Sequence, residues 1–309
     1  MNYATKLCIV SMVSVFSVSS IGLVQAADTP IVSTGGAAYN IGIPGNSNFT
    51  NSDNVSLGGQ AGTSNGNPYQ KPNDPNAKGN NIAIGRISLN GSSGGANVAL
   101  GSKTFLNGKG DYNFLGNFAA GFNSTISNTI AIGSFAGSGA TGNKNVWLGA
   151  GQAGGSKGNN TVLIGSNSTV DGNFNYGIGH NAELKGESNA VVGAYNHVTA
   201  NNTYVLGDHV DTTLNNAVVL GSHSTAESSD VVSTPSYTYA GGTVNFAGTA
   251  PVSTVSVGAT NQERTITHVA AGRVSADSTD AINGSQLYGA NQQIDNLYNK
   301  ISNIGKEAN

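Results

Sequence analysis

The sequence predicts an all-β fold, a parallel β-roll or solenoid whose coils stack into a rod and lead into a short helical stalk. The first observation is a five-letter phrase, Asn, apolar, variable, apolar, Gly. It runs through Asn54–Gly58, Asn81–Gly85, Asn97–Gly101, Asn145–Gly149, Asn175–Gly179 and Asn189–Gly193, with looser copies ending at Gly42, Gly116, Gly133, Gly165, Gly207 and Gly221. The second is spacing: from Gly58 the gaps between these glycines are 27, 16, 15, 17, 16, 16, 14, 14, 14 and 14 residues. A period held this long is the mark of a stacked repeat. The third is a seam, Leu287, Ala290, Ile294, Leu297, Ile301 and Ile304, with heptad spacing 3, 4, 3, 4, 3.

In chain order, residues 1–26 read as a secretory signal peptide. Lys6 precedes an apolar run from Leu7 to Val24, and Val24-Gln25-Ala26 suits cleavage after Ala26. The lone Cys8 lies inside this segment, so the mature chain lacks cysteine; export without disulfides suits a Gram-negative envelope. The chain has 13 basic and 16 acidic residues, and losing Lys6 leaves a net charge of −4. That balance argues against nucleic acid or an anionic lipid surface as partner. Only 9% of residues are charged and 44 are glycine, a composition foreign to a typical globular enzyme.

Residues 27–225 form the expected head. Alternating apolar residues bounded by Asn and Gly read as a short strand with a turn at each end. A second alternation follows each glycine, as in Ser168/Val170, Ala182/Leu184 and Asn196/Val198. Each coil therefore holds two strands, and a dozen coils ~4.8 Å apart give a rod about 50 to 60 Å long. Gly and Asn are expected at corners of positive φ. The middle letter of the phrase is Ala83, Ala99, Phe114, Ala131, Trp147, Leu163, Val191, Val205 and Val219. Strands apolar on both faces are covered on both faces, and a thin coil has nothing of its own for the second. Ala83, Ala99, Trp147, Val191, Val205 and Val219 are therefore assigned to the interface or core of an oligomer, with the valines on the outward side.

Residues 60–80, rich in proline around Tyr69 and Lys71, interrupt the repeat as a projecting loop. Residues 226–260 lose the phrase and, with Tyr237, Tyr239 and Phe246, read as a β-rich insertion containing a hairpin. Residues 261–288 concentrate charge at Arg264, Arg273, Asp277 and Asp280, as a neck between chains does. Residues 289–309 begin a coiled-coil stalk, and isoleucine at both seam positions near its end favours three strands.

These motifs resemble the YadA-type trimeric autotransporter adhesins. Asn-x-Ala-Ile-Gly followed by Ser (Gly85 to Ser88, more loosely Gly165 to Ser168 and Gly221 to Ser224) is similar to that family's head repeat. Asp280-Ala-Ile-Asn-Gly-Ser-Gln-Leu-Tyr288 is similar to its neck, and Thr265 to Arg273 to the segment before it. The resemblance implies a left-handed parallel β-roll in each of three protomers. It implies Arg264, Arg273, Asp280, Asn283, Gln286, Leu287 and Tyr288 in the neck, and Ile294, Leu297, Ile301 and Ile304 in the stalk. It implies a homotrimer on the bacterial surface that attaches to host matrix (collagen, fibronectin, laminin) or to a host receptor such as a CEACAM-type glycoprotein, in the service of virulence. It also implies an outer-membrane β-barrel anchor. No amphipathic strands follow the heptads, so the chain reads either as part of a longer protein or as one anchored otherwise.

Aromatic and basic side chains off the strands are the candidate ligand contacts: Tyr69, Lys71, Phe105, Phe118, Phe122, Phe135 and Tyr195. His209 and His223 stand 14 residues apart at one place in consecutive coils, where rings stack about 5 Å apart; with Asp208 they form a weak metal or pH-sensing pattern lacking a third ligand. No catalytic, metal or cofactor residue is assigned. A period of 14 excludes hexapeptide acyltransferases, the absence of an Asp ladder excludes calcium repeats, and Gly91, Gly94 and Gly95 do not open a helix as a phosphate cradle does. The competing classes are a glycan-cleaving trimeric β-helix of the tail-spike kind and a structural surface spacer.

Overall fold

The computed structural model describes residues 55–58, 61 and 81–307. The expected signal peptide and all but Ala61 of the loop at 60–80, including Tyr69 and Lys71, lie outside the described residues. Twelve strands form one parallel sheet, running in coil order from Val55–Leu57 through Ile82–Ile84 to Val218–Leu220 and ending with Val255–Ser256. At ~4.8 Å per step the sheet is about 53 Å long. Register is kept coil to coil, so that Gly177 lies between Leu163 and Val191. A second parallel face closes each coil. It comprises Thr125–Ser127 with Thr141–Asn143, then Thr169–Asp171, Glu183–Lys185, His197–Thr199 and Asp211–Thr212, and single bridges Ser93–Lys109–Thr125 and Thr141–Lys157–Asp171 make it continuous.

Each strand of the first sheet is essentially three residues, and a period of two points the middle residue one way and both flanks the other. Ala83, Ala99, Trp147, Val191, Val205 and Val219 all point inward and are buried. They form the core with Val170, Leu184 and Val198 from the opposite face. This reverses the outward placement expected of Val191, Val205 and Val219. A flat coil has room for one inward side chain per strand, and the two flanking letters face out.

The coil at residues 101–117 corrects a second expectation. Phe114 pairs with Val98 and Leu115 with Ala99, so Leu115 is its middle letter and Phe114 faces out. Asn117, at φ 83°, takes the corner that other coils give to glycine. Counted to Asn117, the irregular gaps of 15 and 17 become 16 and 16, and the rod divides into 16-residue coils followed, from Gly165, by 14-residue coils.

The phrase's asparagines serve a purpose other than the expected corner. Among the described residues they are buried, and their amides tie coil to coil. Asn189 Oδ1 accepts the Thr203 N–H at 3.0 Å and its Nδ2 donates to the Ala200 carbonyl at 2.6 Å. Asn97 and Asn175 repeat the pattern.

After the last full coil, Ser236–Tyr239 and Gly242–Asn245 form an antiparallel hairpin. Arg264 then folds back on the end of the roll, donating to the carbonyls of Ser222 (2.7 Å) and Val257 (2.8 Å) and to Ser224 Oγ (3.0 Å). A helix, Gly284–Glu307, ends the described chain.

Candidate functional site

The two outer faces of the roll differ in chemistry. The first sheet presents the flanking letters, an unbroken apolar strip that includes Ile84, Ile132, Ile178 (50% exposed) and Leu206 (58% exposed). The second face is polar. Glu183 pairs with Lys185 at 2.6 Å, and His197 lies between Glu183 at 3.5 Å and Asp211 of the next coil at 3.3 Å. Lys185, chiefly through its hydrogen bond, holds the Glu183 carboxyl below the usual carboxylate range. A polar strand face is at home in water; an apolar strip running the length of a rod is far larger than an isolated exposed side chain and marks an interface.

Sequence reasoning missed the flanking letters as the interface row, although the signal was present. In a three-residue strand the flanks share a face, so two apolar flanks per coil outnumber one middle residue.

Of the ligand candidates, Phe105 is a correction: it is fully buried, its ring packed beside Gly108 and Gly121 in the core. Phe122 is half-buried. Phe118 stands two residues past the end of its strand and Phe135 and Tyr195 three past the ends of theirs, near one corner of the rod, 38%, 48% and 50% exposed. There they build a ladder of rings. Phe118 meets Phe135 edge-on at 5.3 Å, with Lys103 Nζ 5.7 Å from the Phe118 ring. Further along, Tyr195 stacks on His209 and His209 on His223, both at 4.9 Å, the imidazoles only 6° from parallel. Asp208 bonds His209 Nδ1 at 2.7 Å, which lowers its carboxyl pKa. Among the described residues no group of three or more His, Cys, Asp or Glu is placed to hold a metal.

The neck is a clasp. Arg273 grips Asp280 through Nε at 2.7 Å and Nη2 at 3.0 Å, and its N–H adds a third bond at 3.1 Å. That grip holds the Asp280 carboxyl below its ordinary range. Asn283 and Gln286 form a reciprocal cap at the helix start: the Gln286 N–H reaches Asn283 Oδ1 at 3.4 Å and the Asn283 N–H reaches Gln286 Oε1 at 3.2 Å. The same side chains hold the preceding segment, Gln286 by both polar groups of Gly272 and Asn283 by the Val269 carbonyl. Beyond the cap Leu287, Tyr288, Ile294, Leu297, Ile301 and Ile304 are all exposed on the single chain, a seam with no partner in its own protomer.

Residues 265–309 match the family described as the coiled stalk of trimeric autotransporter adhesins. Over 72 residues the chain is 57% identical to the autotransporter adhesin BtaE of Brucella suis biovar 1, a match spanning 23% of this chain and 10% of that protein. Among solved structures it is similar to the C-terminal YadA-like domain of BPSL2063 from Burkholderia pseudomallei, with 38% identity over 42% of this chain and 53% of that one and a TM-score of 0.32. The chain thus spans only part of these relatives. A stalk match that starts at the clasped neck, with an adhesin relative at this identity, makes this part of the chain similar to the trimeric autotransporter adhesins.

Proposed function

We propose that the chain supplies the head, neck and first stalk turns of a homotrimer at the bacterial surface. On this reading the head attaches the cell to host matrix proteins such as collagen, fibronectin or laminin, or to a host receptor glycoprotein. Similarity to the trimeric autotransporter adhesins supports the trimer and the surface location. The observation that carries the reading is the contrast between the outer faces: the apolar strip is taken up between protomers, and the polar face with its ring-bearing corner is left for ligand. Phe118, Phe135 and Tyr195 are the anchors in this scheme, since half-exposed rings on a rigid backbone lose little entropy on binding. Small contributions repeated on three protomers add by avidity.

The test is solid-phase binding of the purified trimer to collagen, fibronectin, laminin and a receptor panel, with a Phe118→Ala/Phe135→Ala variant beside it. The expected result is saturable binding to at least one ligand, weakened about tenfold or more in the variant at unchanged trimer mass. Failure to bind any of them, or cleavage of a bound glycan, overturns the proposal.

A further inference from the structure

The corner that carries Tyr195 ends in two histidines. Asn167, Asn181, Tyr195, His209 and His223 follow one another there at steps of 14 residues, each with φ between 50° and 56°. The backbone joins the last two rungs, the His223 N–H donating to the Asp208 carbonyl at 2.9 Å. Their imidazoles lie 4.9 Å apart and 6° from parallel, both exposed. The polar groups beside the pair decide which nitrogen faces out. Asp208 bonds His209 Nδ1 at 2.7 Å, and Ser222 Oγ lies 2.7 Å from His223 Nδ1. The Ser222 hydroxyl also bonds the Asp208 carboxylate. An ionised carboxylate only accepts, so His209 Nδ1 carries a proton and the single Ser222 proton goes to Asp208. The Ser222 oxygen must then accept from His223, whose Nδ1 carries a proton as well. One carboxylate thus sets both rings in the same tautomer, directly in one coil and through a hydroxyl in the next. In the neutral rings both Nε2 atoms keep a lone pair, and neither has a hydrogen-bond partner among the described residues. His197, by contrast, has both ring nitrogens against carboxylates, and Tyr195 stands between His180 and the pair.

We infer that His209 and His223 bind a divalent transition-metal ion through their two Nε2 atoms, Cu²⁺ more tightly than Zn²⁺. An imidazole whose other nitrogen is held by a carboxylate or hydroxyl is the usual form of a metal-ligating histidine. Two such rings suit an ion of borderline softness, and copper heads the affinity order for nitrogen ligands. Rings anchored alike hold their Nε2 atoms about as far apart as their centroids. One ion at ~2.1 Å from each nitrogen needs them about 3.0 to 3.4 Å apart, so each Nε2 swings inward by under ~1 Å. Exposed rings that pivot on their Nδ1 bonds can make that movement. The Asp208 carboxylate offsets part of the ion's charge, while Arg264, at the same end of the roll, is turned to the carbonyls of Ser222 and Val257. No third side chain joins the pair among the described residues, so water fills the remaining positions and binding is weaker than at a site of three or four protein ligands. The bound ion ties the last two rungs of the corner together, and it depends on neither the trimer nor a host ligand.

Calorimetric titration of the untagged chain with CuCl2, and separately with ZnCl2, tests it. The expected result is one copper ion per chain, bound about tenfold or more tighter than zinc, with an electron paramagnetic resonance spectrum that reports two imidazole nitrogens. Asn167 and Asn181 hold the same corner in earlier coils, so His209→Asn and His223→Asn keep its backbone. Asp208→Asn, which leaves both rings in place, should weaken copper about tenfold, and each histidine variant should weaken it further. His197→Asn should leave binding unchanged. Copper should raise the thermal midpoint of the parent and not of the two histidine variants, and metal-free midpoints close to the parent's show that the variants fold. No copper binding up to about 1 mM, or full affinity in any of the three corner variants, overturns the inference. So does loss of binding in His197→Asn, since the ion then sits on the polar second face.

Discussion

At Gly165 the backbone lies at φ 132°, and a methyl group there would overlap the carbonyl of Gly179 in the next coil. Gly149 meets Gly165 in the same way, and Gly193 meets Gly207. The repeated glycine is thus required twice, by its dihedral and by its neighbour's backbone, and neither demand can be relaxed by a rotamer. Gly165→Ala should cost about 3 kcal/mol or more, since it adds backbone overlap to left-handed strain. Gly154→Ala, whose added carbon would lie 3.6 Å from its nearest neighbour at an ordinary φ, should stay within about 0.5 kcal/mol. Chemical denaturation of the two variants against the parent measures both. The glycine was legible in the sequence. The purpose of the buried asparagine was not, because its partners, such as Thr203 and Ala200 for Asn189, belong to the next coil. Phe105 and Phe118 look alike in sequence and part only when counted from the corner: four residues past Gly101 the ring turns in, and one past Asn117 it turns out.

The neck shows how an element's end is fixed by side chains rather than by burial, since Arg273, Asp280 and the cap residues lie at the surface. Gln286 carries the largest share of bonds, satisfying Asn283 and both polar groups of Gly272. Gln286→Ala should cost about 1–2 kcal/mol in the unfolding of helix and neck, the usual effect of losing a cap. The Arg273–Asp280 pair adds a pH dependence of known sign. The folded carboxyl titrates below its ordinary value of about 3.9, so its contribution is present above that pH and is lost as pH falls through the lowered value. Thermal midpoints followed from neutral to about pH 2 should show an acid-side loss that is smaller in Arg273→Ala. The heptads announced this helix in the sequence, and the Asn-x-x-Gln spacing fits its cap. The grip on Gly272 and Val269 could not be read there, because it joins residues 14 apart through a bend in the chain.

Across the described residues two long apolar surfaces await partners, the strip along the roll and the seam along the helix, and they are unequal. The strip draws two flanking residues from nearly every one of 12 strands on a backbone already held by its ladders. The seam draws six residues from a helix of 24, and the stretch carrying the seam must pay nucleation as well as pairing, which leaves short helices marginal. The strip should therefore set the oligomeric state and the seam should follow it, with the Arg264 and Arg273 contacts fixing where one gives way to the other. Ile178→Asp/Leu206→Asp places a carboxylate on the strip in two coils and should dissociate the trimer at micromolar concentration. Ile294→Asp/Ile301→Asp should cost helix signal in far-UV circular dichroism while light scattering still reports three chains. The reverse outcome, a trimer that survives charges on the roll and falls apart when the helix is broken, would mean that the stalk assembles the heads. The sequence showed strands apolar on both sides and so pointed to a partner. It did not reveal which side faces the partner, because that depends on how few inward side chains a flat coil can hold.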